Sequence, residues 1–416
     1  MLKKMMLGAA AALLLALPTL AQQIPPATRL AFVQNKALYT LEPTSTTPVL
    51  VDSAPTYDYS AVWSPDSTKL AYVASADGQE FSEMKTLKVW DGTQALDIVT
   101  NFKSASGMPI NWTSDGKIVY FVATPEFIDA GQRMEVYIVD AAAGAAPELV
   151  SNQVTIGAGC GGSSSIPMDW ATWVENGFGG RPLIQLTDYG LVYPSICAGG
   201  RGALFRTFSN ELTPFADGKL SDMALSADQR SLAGLVGDDA GNTSLVVVNL
   251  ETMEEKTIPT QRSPLQVVWG ADGSLYYASS TEAGNLLTGL TDEQLRTFST
   301  ALGIPADVPV ETKLARNSLS ISRIAADGTE SLVAEGGDAY TIGRMQVVGN
   351  TLYVSTISNG ADWVKAVLDG TLTPDNNFDK AGETVHTTIY SIDLATPNSV
   401  PVIVLNDATQ FAAAGA

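Results

Sequence analysis

The chain has 416 residues, 45% of them apolar, and 24 Lys and Arg against 44 Asp and Glu give it a net charge of −20. A surface this acidic repels phosphate backbones and anionic lipid headgroups, which argues against nucleic-acid binding through a basic groove. It suits solubility outside the cell, divalent cations or basic partners, and a single histidine, His386, rules out a multi-histidine metal centre.

The chain begins with Met1-Leu-Lys-Lys4, an apolar run from Met5 to Leu17, and then Pro18-Thr-Leu-Ala21. A basic start, a short apolar stretch and small residues at Thr19 and Ala21 predict a secretory signal over residues 1–21, cleaved after Ala21. The run is short for a transmembrane span, and an uncleaved N-terminal anchor is the alternative. No Cys follows it and no later stretch is apolar enough to cross a bilayer. An exported protein, periplasmic or extracellular, is expected.

Residues 22–416 read as one all-β domain built from a repeat. Its clearest copy is Tyr59-Ser-Ala-Val-Trp-Ser-Pro-Asp-Ser-Thr-Lys-Leu-Ala-Tyr-Val-Ala74. A short apolar strand ends in an aromatic, a Ser-Pro-Asp-Ser turn follows, and a second strand leaves it. Seven such second strands begin near Arg29, Lys69, Lys117, Leu191, Ser231, Ser274 and Thr351, each with two further strands behind it. A β-propeller blade is a four-stranded antiparallel sheet, lettered A to D from the centre outward, that needs neighbours to bury its faces. About 395 mature residues divide into seven units of roughly 56, a size that suits one large all-β domain. Seven blades are therefore expected, with six as the alternative count. The first unit lacks strand A, and residues Ala408 to Ala414 are placed to supply it and close the ring, leaving no open sheet edge.

Six of the seven A–B turns keep a turn-forming pair: Pro65-Asp66, Asp115-Gly116, Asp188 with Gly190, Ala227-Asp228, Asp272-Gly273 and Gly349-Asn350. Asp bonds its own turn backbone and Gly accepts positive φ, so these carboxylates are assigned to folding and not to catalysis.

The stretch Trp63-Ser-Pro-Asp-Ser-Thr-Lys-Leu-Ala-Tyr72 resembles the repeat motif of the TolB-like, or PD40 (WD40-like), propellers of exported bacterial proteins. Looser copies stand at Asn111-Trp-Thr-Ser-Asp-Gly-Lys-Ile-Val-Tyr120 and Val268-Trp-Gly-Ala-Asp-Gly-Ser-Leu-Tyr-Tyr277. The resemblance implies the fold, but such propellers serve as binding platforms and as parts of peptidases and other enzymes, so it does not name a function. The first blade starts almost directly after the signal, which leaves no room for the N-terminal α/β domain of TolB itself. Nothing resembling an α/β-hydrolase domain follows the repeats.

Alternating strand directions send the D–A and B–C loops to one face and the A–B and C–D turns to the other. The long insertions, 153–182, 279–317 and 357–386, all fall on the first, as do the shorter segments Ser75 to Lys85 and Ala123 to Arg133. Long loops on one rigid face are how a scaffold carries a binding site. Cys160 and Cys197 sit in Gly-rich loops of that face beside the fourth blade, and in an exported chain they are expected to form a disulfide. Thr291 to Gly303 predicts a short helix there, with a Thr291/Gln294 capping box and Leu295, Phe298 and Leu302 on one side.

Trp170, Trp173 and Phe178 in the fourth-blade insertion, and Trp363 in the seventh, read either as an aromatic platform for a sugar or peptide or as small cores beneath their loops. Asp375, Asn377 and Asp379, with Glu383 further on, follow the alternation of a calcium loop, yet Lys380 stands where Gly is wanted and the Glu comes early. A solvated polar loop is the other reading. Asp238-Asp-Ala-Gly-Asn242 is a hairpin turn first.

No Gly-x-Ser-x-Gly elbow accompanies His386, which starts a predicted strand, and the Gly-rich runs do not lie between strand and helix as a phosphate loop would. Carboxylate-pair chemistry stays open because acidic residues are plentiful. The leading expectation is a non-catalytic, exported platform that binds a protein, peptide or glycan on the insertion face. The alternative is an extracytoplasmic hydrolase or lyase using acidic residues near the central channel, with calcium as an optional ligand.

Overall fold

The computed structural model describes residues 28–415 except 44, 54–60, 80–81, 105–109, 129–130, 157–183, 198–199, 210, 219, 239–241, 286, 302–314, 340, 359, 372–385 and 409. Within them, seven four-stranded antiparallel sheets follow one another as the blades of a propeller. Blade 1 consists of Thr28–Gln34, Ala37–Leu41 and Val49–Asp52 as strands B, C and D, with Gln410–Gly415 as its strand A. The register Thr28↔Gly415 through Val33↔Gln410 joins the two ends of the chain in one sheet, so the ring closes as the missing first strand requires.

The other inner strands, A of blades 2 to 7, are Val62–Trp63, Asn111–Trp112, Gln185–Leu186, Leu220–Leu225, Gln266–Trp269 and Thr341–Val348. Their B strands are Leu70–Ser75, Lys117–Ile128, Gly190–Cys197, Ser231–Gly237, Leu275–Asn285 and Thr351–Ser358.

Each junction between neighbouring blades holds its own buried apolar cluster, seven in all, and this is where the core sits. The third apolar position of strand B supplies a large ring to five of them. Phe32, Tyr72, Tyr120, Tyr193 and Tyr277 occupy that position in five blades, and each packs against the preceding blade. Blade 5 has Gly234 instead, and Leu220 fills the space: a Cβ on Gly234 would stand 2.7 Å from its Cδ1.

The aromatic that ends strand A has a separate task. Trp63 Nε1 donates to the Ala412 carbonyl at 3.1 Å, Trp112 Nε1 to Val62 at 3.0 Å and Trp269 Nε1 to Ala224 at 3.0 Å. Each indole thus ties its inner strand to that of the preceding blade, satisfying a donor that burial would otherwise orphan.

Outer strands face the opposite problem, an unpaired edge. Five of the seven carry one extra apolar residue, Val51, Ile98, Val150, Val333 or Val404, where the register with strand C slips. Such bulges twist an edge away from regular pairing and blunt it.

Candidate binding face

The turn face is spent on structure. Ser64 Oγ donates to Asp66 Oδ1 at 2.6 Å, Thr68 N to the same oxygen at 3.1 Å, and Lys69 N to Ser64 Oγ at 2.9 Å. Thr113 with Asp115 and Ser226 with Asp228 repeat the arrangement. Hydrogen bonds from the hydroxyls and turn amides hold the Asp66 and Asp228 carboxyls below their ordinary range, as expected of acceptors already satisfied by their own turn.

The loop face is irregular. In blade 3 the segment 123–133, expected as a loop, is a continuation of the hairpin: Lys117–Ile128 pairs with Gly131–Asp140 out to Ile128↔Gly131. In blade 6, Ser279–Asn285 and Ala315–Asn317 of the insertion 279–317 are likewise paired strand. Between them lies helix α1, Asp292–Ala301, at the expected place. Its capping box forms in both directions, with Gln294 N donating to Thr291 Oγ1 at 3.2 Å and Thr291 N to Gln294 Oε1 at 2.9 Å.

A second helix, α2 at Gly360–Leu368 in the blade 7 insertion, was not foreseen. The spacing of Val364, Val367 and Leu368 is the helical signal that marks it in retrospect. The two helices pack on each other around Leu287, Phe298, Val364, Ala366 and Val367, a core separate from those of the blades. An open groove of 620 Å³ runs between them, with Glu293, Arg296 and Thr300 on its rim and Ala301, Val367 and Leu368 toward its floor. Side chains of both charges thus stand above an apolar floor.

Polar side chains also join neighbouring inner strands to one another. Asn111 Nδ2 donates to Gln185 Oε1 at 2.5 Å, and Gln266 Nε2 to Asp222 Oδ1 at 3.0 Å. Gln346 and Ala413 exchange two bonds, and Arg344 donates to the Phe411 carbonyl at 2.6 Å. A carboxylate-pair mechanism needs two acids, and the described inner strands carry one, Asp222.

Most side chains singled out from sequence lie outside the described residues: Cys160, Trp170, Trp173, Phe178, Asp375, Asn377, Asp379 and Glu383. Cys197 ends strand B of blade 4 and Trp363 lies on α2, and in both cases only the backbone is described. His386 starts strand C of blade 7, as its position suggested. Asp238 is a turn residue, accepting from Asn242 N at 2.7 Å. Among the described residues no three His, Cys, Asp or Glu gather to hold a metal, and no helix is long and apolar enough to cross a membrane.

No protein-family model matches the chain, and no curated protein does. Among solved structures it is similar to TolB from Acinetobacter baumannii, at 16% identity and a TM-score of 0.41 over 75% of this chain and 64% of that one. The chain thus spans less than two thirds of that protein's length. The Pseudomonas aeruginosa periplasmic gluconolactonase is 10% identical, with a TM-score of 0.49 over 92% of this chain and 98% of that one. A puromycin-hydrolyzing peptidase of Mycobacterium tuberculosis is 13% identical, with a TM-score of 0.43 over 78% and 46%. None of these likenesses carries an argument about what this chain binds, and the fold stands on its own strand pairing. In its Trp-Ser-Pro-Asp repeat and its ring of seven four-stranded blades, the chain is similar to the TolB-like propellers.

Proposed function

We propose that this protein is an exported, non-catalytic platform that binds a protein, peptide or glycan partner on its loop face. The observation that supports the reading most is the pair of helices α1 and α2, contributed by insertions of two different blades and joined by a core of their own. Such an addition is not needed to close the ring, and it creates the groove with the apolar floor. Export rests on the signal read over residues 1–21, and in an oxidising compartment Cys160 and Cys197 are assigned to a disulfide. Trp170, Trp173, Phe178 and Trp363 fall on the same face by strand order and are assigned its aromatic contacts.

Screening the full chain against a displayed peptide library and a glycan array tests the reading. Ligands so selected should weaken by at least about tenfold in an Arg296→Glu, Thr300→Glu variant and be unaffected by Asp327→Asn on the other face. Ligands indifferent to the groove variant, or cleaved on incubation, would overturn the platform reading in favour of another site or of a hydrolase or lyase. Alanine at Trp170 or Trp173 should reduce binding without changing the melting temperature if these rings touch the ligand. Calcium at Asp375, Asn377, Asp379 and Glu383 is tested by a calcium-dependent rise in melting temperature that Asp375→Asn removes.

A further inference from the structure

The groove between α1 and α2 has two chemically different walls. Glu293, Arg296, Thr297 and Thr300 line it from α1, whereas α2 presents Val367 and Leu368, with Gly370 just beyond its end. The charges and hydroxyls thus stand on one side, and the apolar surface lies toward the other. The division follows from the sequence of α1. Residues 293, 296, 297 and 300 share one side at helical spacing and are exposed, while Phe298 is buried in the core that α1 shares with α2.

The polar wall is not consumed by contacts of its own. Arg296 Nε donates to the Asp292 carbonyl at 3.2 Å, which lays the side chain along its helix, and among the described residues both Nη groups are without a partner. The Glu293 carboxylate is unpaired in the same sense, although Arg296 stands three residues on, a spacing at which opposite charges on a helix can meet. Thr297 Oγ1 donates to the Glu293 carbonyl at 2.9 Å and Thr300 Oγ1 to the Arg296 carbonyl at 2.8 Å. Each hydroxyl has therefore used its proton and can only accept.

A ligand for such a groove needs charge on one side and an apolar group on the other. An extended peptide has this by construction, because successive side chains point to opposite sides and alternate ones share a side. Glu293 and Arg296 are about 4.5 Å apart along the helix axis. Side chains i and i+2 of an extended chain are about 6.7 Å apart, a difference that long side chains span. Peptide N–H groups, which only donate, meet the acceptor-only hydroxyls of Thr297 and Thr300. The volume of 620 Å³ suits a segment of a few residues. A glycan is the poorer match, since among the described residues no aromatic ring lines the groove to receive a sugar face.

We infer that the groove recognises an extended peptide segment in which a basic and an acidic side chain flank an apolar one. The basic group lies at Glu293, the acidic group at the Arg296 fork, and the apolar side chain between them faces Val367 and Leu368. This rests on the platform reading and narrows its ligand from a protein, peptide or glycan to a peptide of stated charge pattern.

Calorimetry on the full chain tests it with blocked pentapeptides, Gly at both ends and a three-residue core between. The probes are Lys-Leu-Glu and Glu-Leu-Lys, because an extended chain can lie in a groove in either direction. At least one should bind, about threefold to tenfold more tightly than the cores Lys-Leu-Lys, Glu-Leu-Glu and Lys-Ser-Glu. Glu293→Lys should transfer the preference to Glu-Leu-Glu, and Arg296→Glu should transfer it to Lys-Leu-Lys, since each leaves a wall of one sign. Should a variant fail to fold, the ranking on the unaltered chain decides. No binding by either probe, or a ranking indifferent to the charge pattern, overturns the inference. Glycans held in the groove, or selected peptides that weaken in the Arg296→Glu, Thr300→Glu variant yet lack this triplet, would overturn it and leave the platform reading in place. Ligands indifferent to that variant would overturn both.

Discussion

The two faces of the ring are built by different rules. On the turn face three blades repeat one device: a Ser or Thr, an Asp two residues on that accepts from it, and a return strand. On the loop face each blade differs, with an extended hairpin in blade 3 and a helix each from blades 6 and 7. Repetition marks what every blade must do to fold, and departure from it marks what a single blade does for the whole molecule.

Truncation at either kind of element breaks the comparison most directly. Removing Gln410–Gly415 strips strand A from blade 1 and leaves Trp63, Arg344 and Gln346 without the carbonyls they bond. The expected outcome is loss of the cooperative thermal transition, with aggregation through the exposed edge of Thr28–Gln34. Replacing residues 286–314 and 359–385 together by short Gly-Ser turns should leave that transition in place, because their helical core is separate from the seven at the junctions. A cooperative melt in the first variant, or its absence in the second, would show that the division between ring and additions is misdrawn.

Side-chain deletions sharpen the same contrast on a smaller scale. Tyr72→Ala empties a fully buried site between blades 1 and 2 and should cost about 3–5 kcal/mol in global stability by denaturant titration. Phe298→Ala empties a site equally buried, yet within the helix pair. It should loosen that pair, seen as faster amide exchange in α1 and α2, while the main transition moves little.

The ring was legible in the sequence because its signals are local and repeated. Alternating apolar residues, an aromatic at a fixed place and an Asp or Gly turn recur at intervals that only stacked units explain, and the lone strand A at Gln410–Gly415 followed from counting. The loop face was legible by position and not by content. Helix α1 carried a capping box and was found, whereas α2 lacks one and begins at Gly360, so its apolar spacing was passed over. The bulges at Asp222 and Arg344, in the inner strands of blades 5 and 7, were invisible for a physical reason: pairing register is a property of two strands, and neither strand alone records it. The extension of the blade 3 hairpin was hidden by Pro125 and Gly131, which punctuate a sequence as loop residues even where the ladder continues through them.

Stitching along the inner ring tests how much each repeat contributes. Trp63→Phe, Trp112→Phe and Trp269→Phe keep most of the ring contact and delete one indole donor each, leaving a carbonyl of the preceding blade short of a partner. Each should cost about 1 kcal/mol; Trp269 stands well away from the other two and its effect should add to theirs, whereas Trp63 and Trp112 meet on the strand Val62–Trp63 and their coupling is read from the double variant. A triple variant that loses much more than the sum would mean that the inner strands act as one hydrogen-bonded hoop.

The smallest effect expected is also confined largely to the turn face. Backbone N–H and hydroxyl donors from Gln94 and Thr93 bring the Asp91 carboxyl down to about 2, and Asp66, Asp228, Asp327 and Asp393 are lowered by their own turns. A folded-state value below the unfolded one means that these groups bind protons more weakly when folded, so the stability they add is present above the unfolded value of 3.8 and fades as pH falls toward about 2. The melting temperature should therefore hold level from neutral pH down to about pH 5 and then decline, with each exposed turn contributing a small part. Asp66→Asn, Asp91→Asn and Asp228→Asn combined should lower the plateau slightly and flatten the acid limb. An acid limb of unchanged slope would place the responsible carboxylates outside these repeated turns, and the turn face would then contribute to folding through its geometry and not through its charge.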